Sequence, residues 1–367
     1  MAYLVVVELR GCDGVRNLVV RECGKYKTSY KDDMKLFGTI SDKVKWITLI
    51  LLLLALPLFV SNYWIGLITL CTISAIGAIG LNILTGFTGQ ISIGVGAFLG
   101  VGGYTTAILT TTYGISFWVS LPIAGIVTAL VGGLFGIPAL RLKGLYLAIA
   151  TLAAQVIILF IISRWDNVTG GTAGMVLSRP KIGNFLLSTN TSYYYLSIVI
   201  LLVTVLYAVN LLRTRVGRAF LAVRDRDIAA QIMGINLFYY KVLAFIISSF
   251  FVGIAGALLA HYTMIVSPEL YNIQVSIQYL AMVLIGGLGS VLGSILGAVF
   301  ITLLPVGLST IIDFLTIFMP EMYQLLSAFK EFVFGIVIIL FLIFEPGGLA
   351  HIWMNMKKYF KLWPFSY

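Results

Sequence analysis

Charged residues are scarce in this sequence. Only 10% of the 367 residues are charged, whereas 60% are hydrophobic, and the mean hydropathy is +1.04. Soluble globular domains have about 25% charged residues, so this chain has too little polar surface to be surrounded by water. Unpaired backbone groups are unfavourable in lipid, which leaves helices or a closed barrel. The apolar runs are continuous and do not alternate with a period of two, which favours helices.

Residues that carry chemistry are also few. The three cysteines, Cys12, Cys23 and Cys71, have the spacing of neither a zinc site nor a redox CxxC pair, and the histidines are His261 and His351. We therefore predict isolated thiols and no metal site. The sequence has no phosphate loop, HExxH motif, nucleophile elbow or paired-carboxylate site. We expect no enzyme activity and no cofactor on this chain.

Long apolar runs are abundant. A helix needs about 20 apolar residues to cross a membrane, and we predict an all-α polytopic bundle of about ten transmembrane helices. The predicted spans are 46–61, 64–83, 96–113, 117–137, 145–163, 193–212, 242–261, 276–288, 291–312 and 332–345. GxxxG spacings that begin at Gly96, Gly132 and Gly289 predict close helix packing inside the bilayer.

The basic residues predict the orientation. With the N-terminus inside, 20 of the 24 Lys and Arg residues fall in cytoplasmic segments. Such an excess predicts that both termini are cytoplasmic. The net charge of +10 is then a topology signal, and we expect a lipid bilayer and no nucleic acid as the surroundings of this chain.

Three regions follow from this topology. They are a cytoplasmic N-terminal segment (1–45), a membrane domain (46–350) and a cytoplasmic C-terminal tail (351–367). Residues 1–33 have mixed charge and no amphipathic period. Our hypothesis is that Met34 is the native start.

The predicted spans are nearly bare of charge at their centres. Asp166, Glu269, Asp313 and Glu321 fall at outer ends or in loops. Ion-coupled carriers usually place ionisable groups inside the membrane, so the energy for transport is expected to come from a partner. A secondary carrier, a membrane-embedded enzyme and a structural scaffold remain as alternative classes.

A Gly-, Thr- and Ser-rich segment without charge, residues 81–104, joins the second and third spans. Broken backbone at membrane depth is tolerated where it is buried in protein or lines a cavity. The segment either lines the path of a polar or zwitterionic solute or forms a tight cytoplasmic turn. The candidate path residues are Asn82, Thr85, Gly86, Gly89, Gln90, Ser92 and Gly94.

The longest cytoplasmic loop between spans, residues 213–241, predicts one short helix from about Val216 to Gly234. Its small residues fit a groove of another subunit, and the alternative is a solvated amphipathic helix. The candidate docking residues are Arg218, Arg224, Asp225, Asp227, Ala229, Ala230 and Gly234. In the largest outer loop (164–192), the candidates for contact with a partner, or for a turn that caps the fifth span, are Asp166, Asn167, Thr169, Gly170 and Gly171.

Ala229, Ala230 and Gly234 resemble the end of the EAA loop of bacterial ABC-importer permeases, with Ile228 in place of the leading acidic residue. Five blocks resemble, in order, the permease of the branched-chain amino-acid importer (LivM family). They are GLNILTGFTGQISIG, RLKGLYLAIATLA, WDNVTGGTAGM, GRAFLAVRDRDIAAQIMGIN and IGGLGSVLGSILGA. The similarity covers roughly residues 46–350. The family often has a basic residue in the FxPxGL ending, where this chain has Glu345.

The resemblance implies an importer that works as a complex in a bacterial-type inner membrane. This chain would pair with a second, related permease. Two ATPase subunits would bind the cytoplasmic loops, and a periplasmic or lipid-anchored binding protein would deliver leucine, isoleucine or valine. ATP binding would switch the pair between inward- and outward-facing states. Close relatives carry urea or short amides, which leaves those substrates open.

Overall fold

The computed structural model describes residues 40–139, 144–182, 185–186, 189–318, 323–345 and 347–362. The helices are α1 Ile40–Ala55, α2 Asn62–Thr88, α3 Val95–Thr111, α4 Phe117–Ala139, α5 Leu145–Arg164, α6 Asp166–Thr169, α7 Asn190–Arg213, α8 Arg215–Asp225, α9 Asp227–Ile232, α10 Leu237–Thr263, α11 Ile273–Gly286, α12 Val291–Phe318, α13 Tyr323–Phe344 and α14 Gly348–Leu362. The strands are β1 Met175–Val176, β2 Lys181–Ile182, β3 Phe185–Leu186 and β4 Ile265–Val266.

The chain divides into two compact units, residues 1–56 and 57–367. In the described part of the first unit, α1 is an apolar helix that begins at Ile40, earlier than the predicted span. The hypothesis about residues 1–33 lies outside the described residues. The second unit is a polytopic helical bundle, as predicted.

The predicted number of spans is not confirmed. Each of the ten predicted spans overlaps a described helix, but in the described part of the chain six helices are long and apolar enough to cross a membrane. They are α2, α4, α5, α7, α10 and α12. A seventh span results if Phe332–Phe344 and Gly348–Lys357, which meet at 51°, count as one. The apolar helix α11, with 14 residues, is shorter than a full crossing requires, and α3, with 17 residues, is at the lower limit of that length.

Helix α2 lies in the centre of the bundle. Every residue from Ala75 to Thr88 is buried, and α2 packs against α7, α10, α11 and α12. A helix that is apolar on all sides lies in a protein core or faces lipid, and here neighbouring helices cover it. Its burial therefore explains why this span tolerates Thr and Asn: each polar side chain must find its partner inside the protein.

Helix α10 packs against α2, α3 and α4, and glycines make these contacts close. A Cβ at Gly102 would meet the backbone of Gly253, and one at Gly256 would meet the Leu99 carbonyl. Small residues allow backbones to approach in this way in a membrane bundle. These α3–α10 contacts were not identified from the sequence, where GxxxG spacings were sought within single spans.

The predicted GxxxG positions do mediate packing, with one correction. A Cβ at Gly96 would meet Asn272 and Gln155, one at Gly132 would meet Ser249, and one at Gly297 would meet Met282 of α11. Gly289 is different, because it has a positive φ of 79° and lies in the turn before α12. Gly289 therefore fits the GxxxG spacing by coincidence, and it serves as a turn residue and not as a helix-packing residue.

The connecting segments meet at two separate ends. At one end, called the Gly86 end, the segments 86–90, 213–241 and 287–290 come together through bonds of Arg224 to Gly86 and of Asn82 to Gly289. At the other, called the Thr169 end, β1 pairs with β4, and His261 Nδ1 lies 3.2 Å from the Ser178 carbonyl. All segments of the Gly86 end were predicted to be cytoplasmic, so the contacts agree with an alternating path of the chain.

We predict that Gly256→Ala destabilises the bundle by about 1–3 kcal/mol, because the added methyl group meets the Leu99 carbonyl and overpacking has this magnitude. The matched control is Gly307→Ala in α12, where a Cβ meets no described atom within 4 Å. Thermal unfolding of the detergent-purified protein measures both changes. A Gly256 variant as stable as the Gly307 variant would show that α3 and α10 are not in close contact.

Candidate functional site

The predicted break in the polar segment is confined to residues 89–94, between α2 and α3. Gly89 ends α2 with a φ of +70°, a left-handed conformation that suits glycine. The free backbone N–H of Ile93 donates to Thr151 Oγ1 (2.9 Å), and a Cβ at Gly94 would lie 2.7 Å from the Thr151 carbonyl. Helix α5 therefore holds the break in place. The N–H of Gly94 also faces Ser92 Oγ at 3.4 Å.

Asn82 binds the turn before α12. Its Nδ2 donates to the Ser290 carbonyl (2.9 Å), and its Oδ1 accepts from the N–H of Gly289 (3.0 Å). The side chain is fully buried. Both of its polar atoms are used within the protein, so Asn82 fixes the 287–290 turn against α2.

The other path candidates divide into structural residues and cavity residues. Thr85 Oγ1 donates to the Leu81 carbonyl of its own helix (2.6 Å), and the Gly86 carbonyl accepts from Arg224 Nη1 (2.7 Å). Gly89 and Gln90 line a cavity. Gln90 Nε2 donates to Thr88 Oγ1 (3.0 Å), whereas its buried Oε1 has no hydrogen-bond partner in the described part of the chain.

The loop helix predicted from Val216 to Gly234 is wrong as one element. The structure has two helices, α8 and α9, and Arg226 between them is extended (φ −153°, ψ 104°). Thr214 caps α8 by accepting from the N–H of Gly217 (3.3 Å). Asp227 begins α9, and an acidic residue in a first helical turn is a start signal that sequence reasoning missed.

Helix α8 is amphipathic and seated on the bundle. Phe220 and Val223 are buried, and Phe220 belongs to the same hydrophobic cluster as Ile83, Leu84 and Phe87 of α2. Arg218 and Asp225 are exposed on the other side of the helix, whereas Arg224, one turn after Phe220, is exposed but reaches the end of α2. The face of α8 that carries Phe220 thus positions the loop directly on the end of α2.

Helix α9 has little hold on the bundle. Of its residues only Ala230 is buried, and Ala229 is exposed. Ile228, Ile232 and Met233 are 68%, 82% and 83% exposed. Gly234, which follows this helix, is exposed and has a φ of +84°.

A cavity of about 590 Å³ separates the break from the loop. Gly89 and Gln90 line one wall, Arg224 and Ile232 line another, and Gly144 before α5 lines a third. This volume lies within the range of small-ligand pockets. The structure therefore brings together the two candidate constellations, which are far apart in sequence.

The outer-loop candidates form a helical turn that caps α5. Thr169 Oγ1 donates to the Ile162 carbonyl (2.6 Å), and Gly170 and Gly171 have positive φ values of 71° and 60°. A Cβ at Gly171 would overlap Asp166 Oδ1. These contacts agree with the predicted alternative in which this segment forms a turn that caps the fifth span. The side chains of Asp166 and Asn167 are exposed.

Glu345, which stands where the resembled family often has a basic residue, forms a hydrogen bond with His351. Its Oε1 lies 2.7 Å from His351 Nδ1. The two residues join the end of α13 to α14. This contact gives the position a structural partner that the sequence pattern did not indicate.

We predict that Asn82→Leu destabilises the protein by about 1–3 kcal/mol, because it leaves the backbone N–H of Gly289 without its partner and removes the bond from α2 to the Ser290 carbonyl. Thr85→Val is the control, since it removes only a bond within one helix. Thermal unfolding in detergent measures the difference. Equal losses in the two variants would contradict a special role of Asn82.

Comparison with known proteins gives consistent results. The family model described as "Branched-chain amino acid transport system / permease component" matches residues 63–342. The "High-affinity branched-chain amino acid transport system permease protein LivM" of Escherichia coli (strain K12) is 33% identical over 336 residues, which cover 85% of this chain and 76% of that protein. The LivM protein of Salmonella typhimurium has the same values.

An archaeal relative extends the similarity to the other permease type. The "Probable branched-chain amino acid transport permease protein LivH" of Methanocaldococcus jannaschii is 30% identical over 301 residues, which cover 77% of this chain and 90% of that protein. No solved structure matches the chain. The matched region contains the break, the loop helices and the 287–290 turn, and the chain belongs to the family of branched-chain amino-acid transport permeases.

Proposed function

We propose that this chain is the permease subunit of an ATP-driven importer of leucine, isoleucine and valine. The complex would contain a second related permease, two ATPase subunits and a periplasmic or lipid-anchored binding protein. It would reside in a bacterial-type inner membrane, with both termini of this chain in the cytoplasm. The observation that carries the proposal is the exposed apolar helix α9 beside the end of the most buried span.

Helix α9 has the surface of a docking element. It is rich in exposed apolar residues, yet it lies in a segment whose basic residues predict that it faces the cytoplasm. Contiguous apolar surface in contact with water indicates a protein interface. Ile228 and Ile232 lie four residues apart, on one face of a helix. We propose that an ATPase subunit binds this surface and that its groove accepts α9. The small side chain of Ala229 would allow the two proteins to approach closely.

The inner part of the translocation path is proposed to pass Gly89 and Gln90. Both line the cavity next to the loop, and the unpaired Oε1 of Gln90 is an acceptor suited to an ammonium group. The remaining path candidates are buried, and we propose that they support the lining residues without contacting the solute. They are Asn82, Thr85, Gly86, Ser92 and Gly94. At the Thr169 end, Asp166 and Asn167 are the proposed contacts to the binding protein.

Affinity purification in mild detergent tests the proposal. Recovery of an ATPase and a second permease, followed by ATP-dependent leucine uptake in proteoliposomes, is the expected result. Competition by valine but not by urea or acetamide would identify the substrate class. Isolation of this chain alone, with uptake that follows a proton or sodium gradient, would instead indicate a secondary carrier.

We predict that Gly234→Trp abolishes uptake while membrane insertion stays intact, because the indole would project from the end of α9 into the docked ATPase. A Cβ at this position would meet no described atom within 4 Å, but the backbone has a φ of +84°, which strains any residue other than glycine. Gly234→Ala is the matched control, since it carries the same left-handed backbone strain without bulk. Radiolabelled leucine uptake by the reconstituted complex measures both variants. Equal uptake by the Trp and Ala variants would refute the docking role.

A further inference from the structure

We infer that Arg224 transmits the movement of the docked loop to the path, and that it does so by bonding inside this chain and not to the ATPase. The inference rests on the proposed function. It assigns Arg224 a positioning role that differs from that of the docking residues around it. Three contacts carry it, each at the point where α8 meets the end of α2.

The first contact is a charge-assisted hydrogen bond. Arg224 Nη1 donates to the Gly86 carbonyl at 2.7 Å. Gly86 lies in the last turn of α2, where carbonyls lose their helical partners. A cationic donor is favoured at a helix C-terminus, both by the bond and by the helix dipole. The guanidinium therefore replaces a missing helical bond at the start of the break.

The second contact connects Arg224 to the turn before α12. A Cβ at Gly289 would lie 2.6 Å from Arg224 Nη1 and 3.3 Å from the Gly86 carbonyl, so only a glycine leaves room for the guanidinium there. The N–H of the same glycine donates to Asn82 Oδ1. Arg224 thus lies where the loop, α2 and the 287–290 turn meet.

The third contact involves the stem of Arg224 and Gly89. The Cβ that glycine lacks would lie 3.4 Å from Arg224 Cγ, in ordinary van der Waals contact. Gly89 is the first residue of the break and lines the cavity together with Arg224. A displacement of α8 would therefore move the backbone of Gly86 and Gly89 through the side chain of Arg224.

The other contacts of α8 explain why the Arg224 bond would transmit movement of the loop to α2 and not only hold the loop in place. Phe220 attaches α8 to α2 by apolar contact, which allows sliding because such contact is not directional. The bond from Arg224 is directional and sets the register between the helices. Loss of Arg224 would leave the loop attached but its movement uncoupled from the break.

The test compares Arg224→Met with Arg215→Met in the complete reconstituted complex. Arg215 is an exposed arginine in the first turn of the same helix, so the same substitution removes the same charge away from Gly86. Leucine uptake and ATP hydrolysis are measured on the same proteoliposomes. Arg224→Met is expected to lower uptake per ATP hydrolysed by about tenfold, the scale of one hydrogen bond to a charged group. Arg215→Met should retain the wild-type ratio.

Gly289→Ala provides a second route, because its methyl group displaces the guanidinium while Arg224 itself is unchanged. The same direction of change in uptake per ATP is expected. An unchanged ratio in Arg224→Met would overturn the inference, and so would an equal loss in Arg215→Met. Loss of the ATPase subunits from the Arg224→Met complex would identify Arg224 as a docking contact, which also overturns it. Absence of ATP-dependent uptake in the wild-type complex would refute the proposed function itself.

Discussion

The structure depends on one constraint: a span that ends inside the bundle must have its free backbone groups satisfied by protein. From Ala75 onward α2 is buried without interruption until Thr88, and Gly89 then leaves the helix. Unpaired amides are costly where water is excluded. Side chains from two other segments supply the partners. Thr151 binds the break, and Arg224 binds the end of α2. The break is therefore also the point where distant parts of the chain are fixed to one another.

Glycine has two separate functions around this point. In helices α3 and α10, Gly102, Gly253 and Gly256 bring backbones into contact, so the helices that surround α2 form a stiff support. At Gly89 and Gly289 the requirement is different, because both have positive φ, and at Gly289 a Cβ would also collide with the guanidinium of Arg224. In the proposed importer, a rigid bundle with glycine turns at the Gly86 end would allow movement where the ATPase is proposed to bind.

Much of this fold is predictable from the sequence, because long apolar runs and their glycine-rich interruptions are local signals. All ten predicted spans overlap helices, and the break was found within the predicted segment. The partners of Asn82 were not predictable, since they lie more than 200 residues away in sequence. The number of full crossings depends on helix length, and the predicted number is not confirmed, because α3 and α11 have 17 and 14 residues. The division of the loop at Arg226 depends on one extended residue within an otherwise helical pattern.

The division of the loop also clarifies how docking can produce movement. Helix α9 alone could not move the bundle, because only Ala230 on it is buried. Helix α8 alone would offer little apolar surface to an ATPase, because Phe220 and Val223 face inward. The two helices are joined through Arg226, whose extended backbone lets α9 adopt its own direction while the chain keeps it at a fixed distance from α8. In the proposed mechanism, α9 would present the docking surface and α8 would carry the bond to the path. Coupling requires an element that both sites bias, and these two adjacent helices would form it.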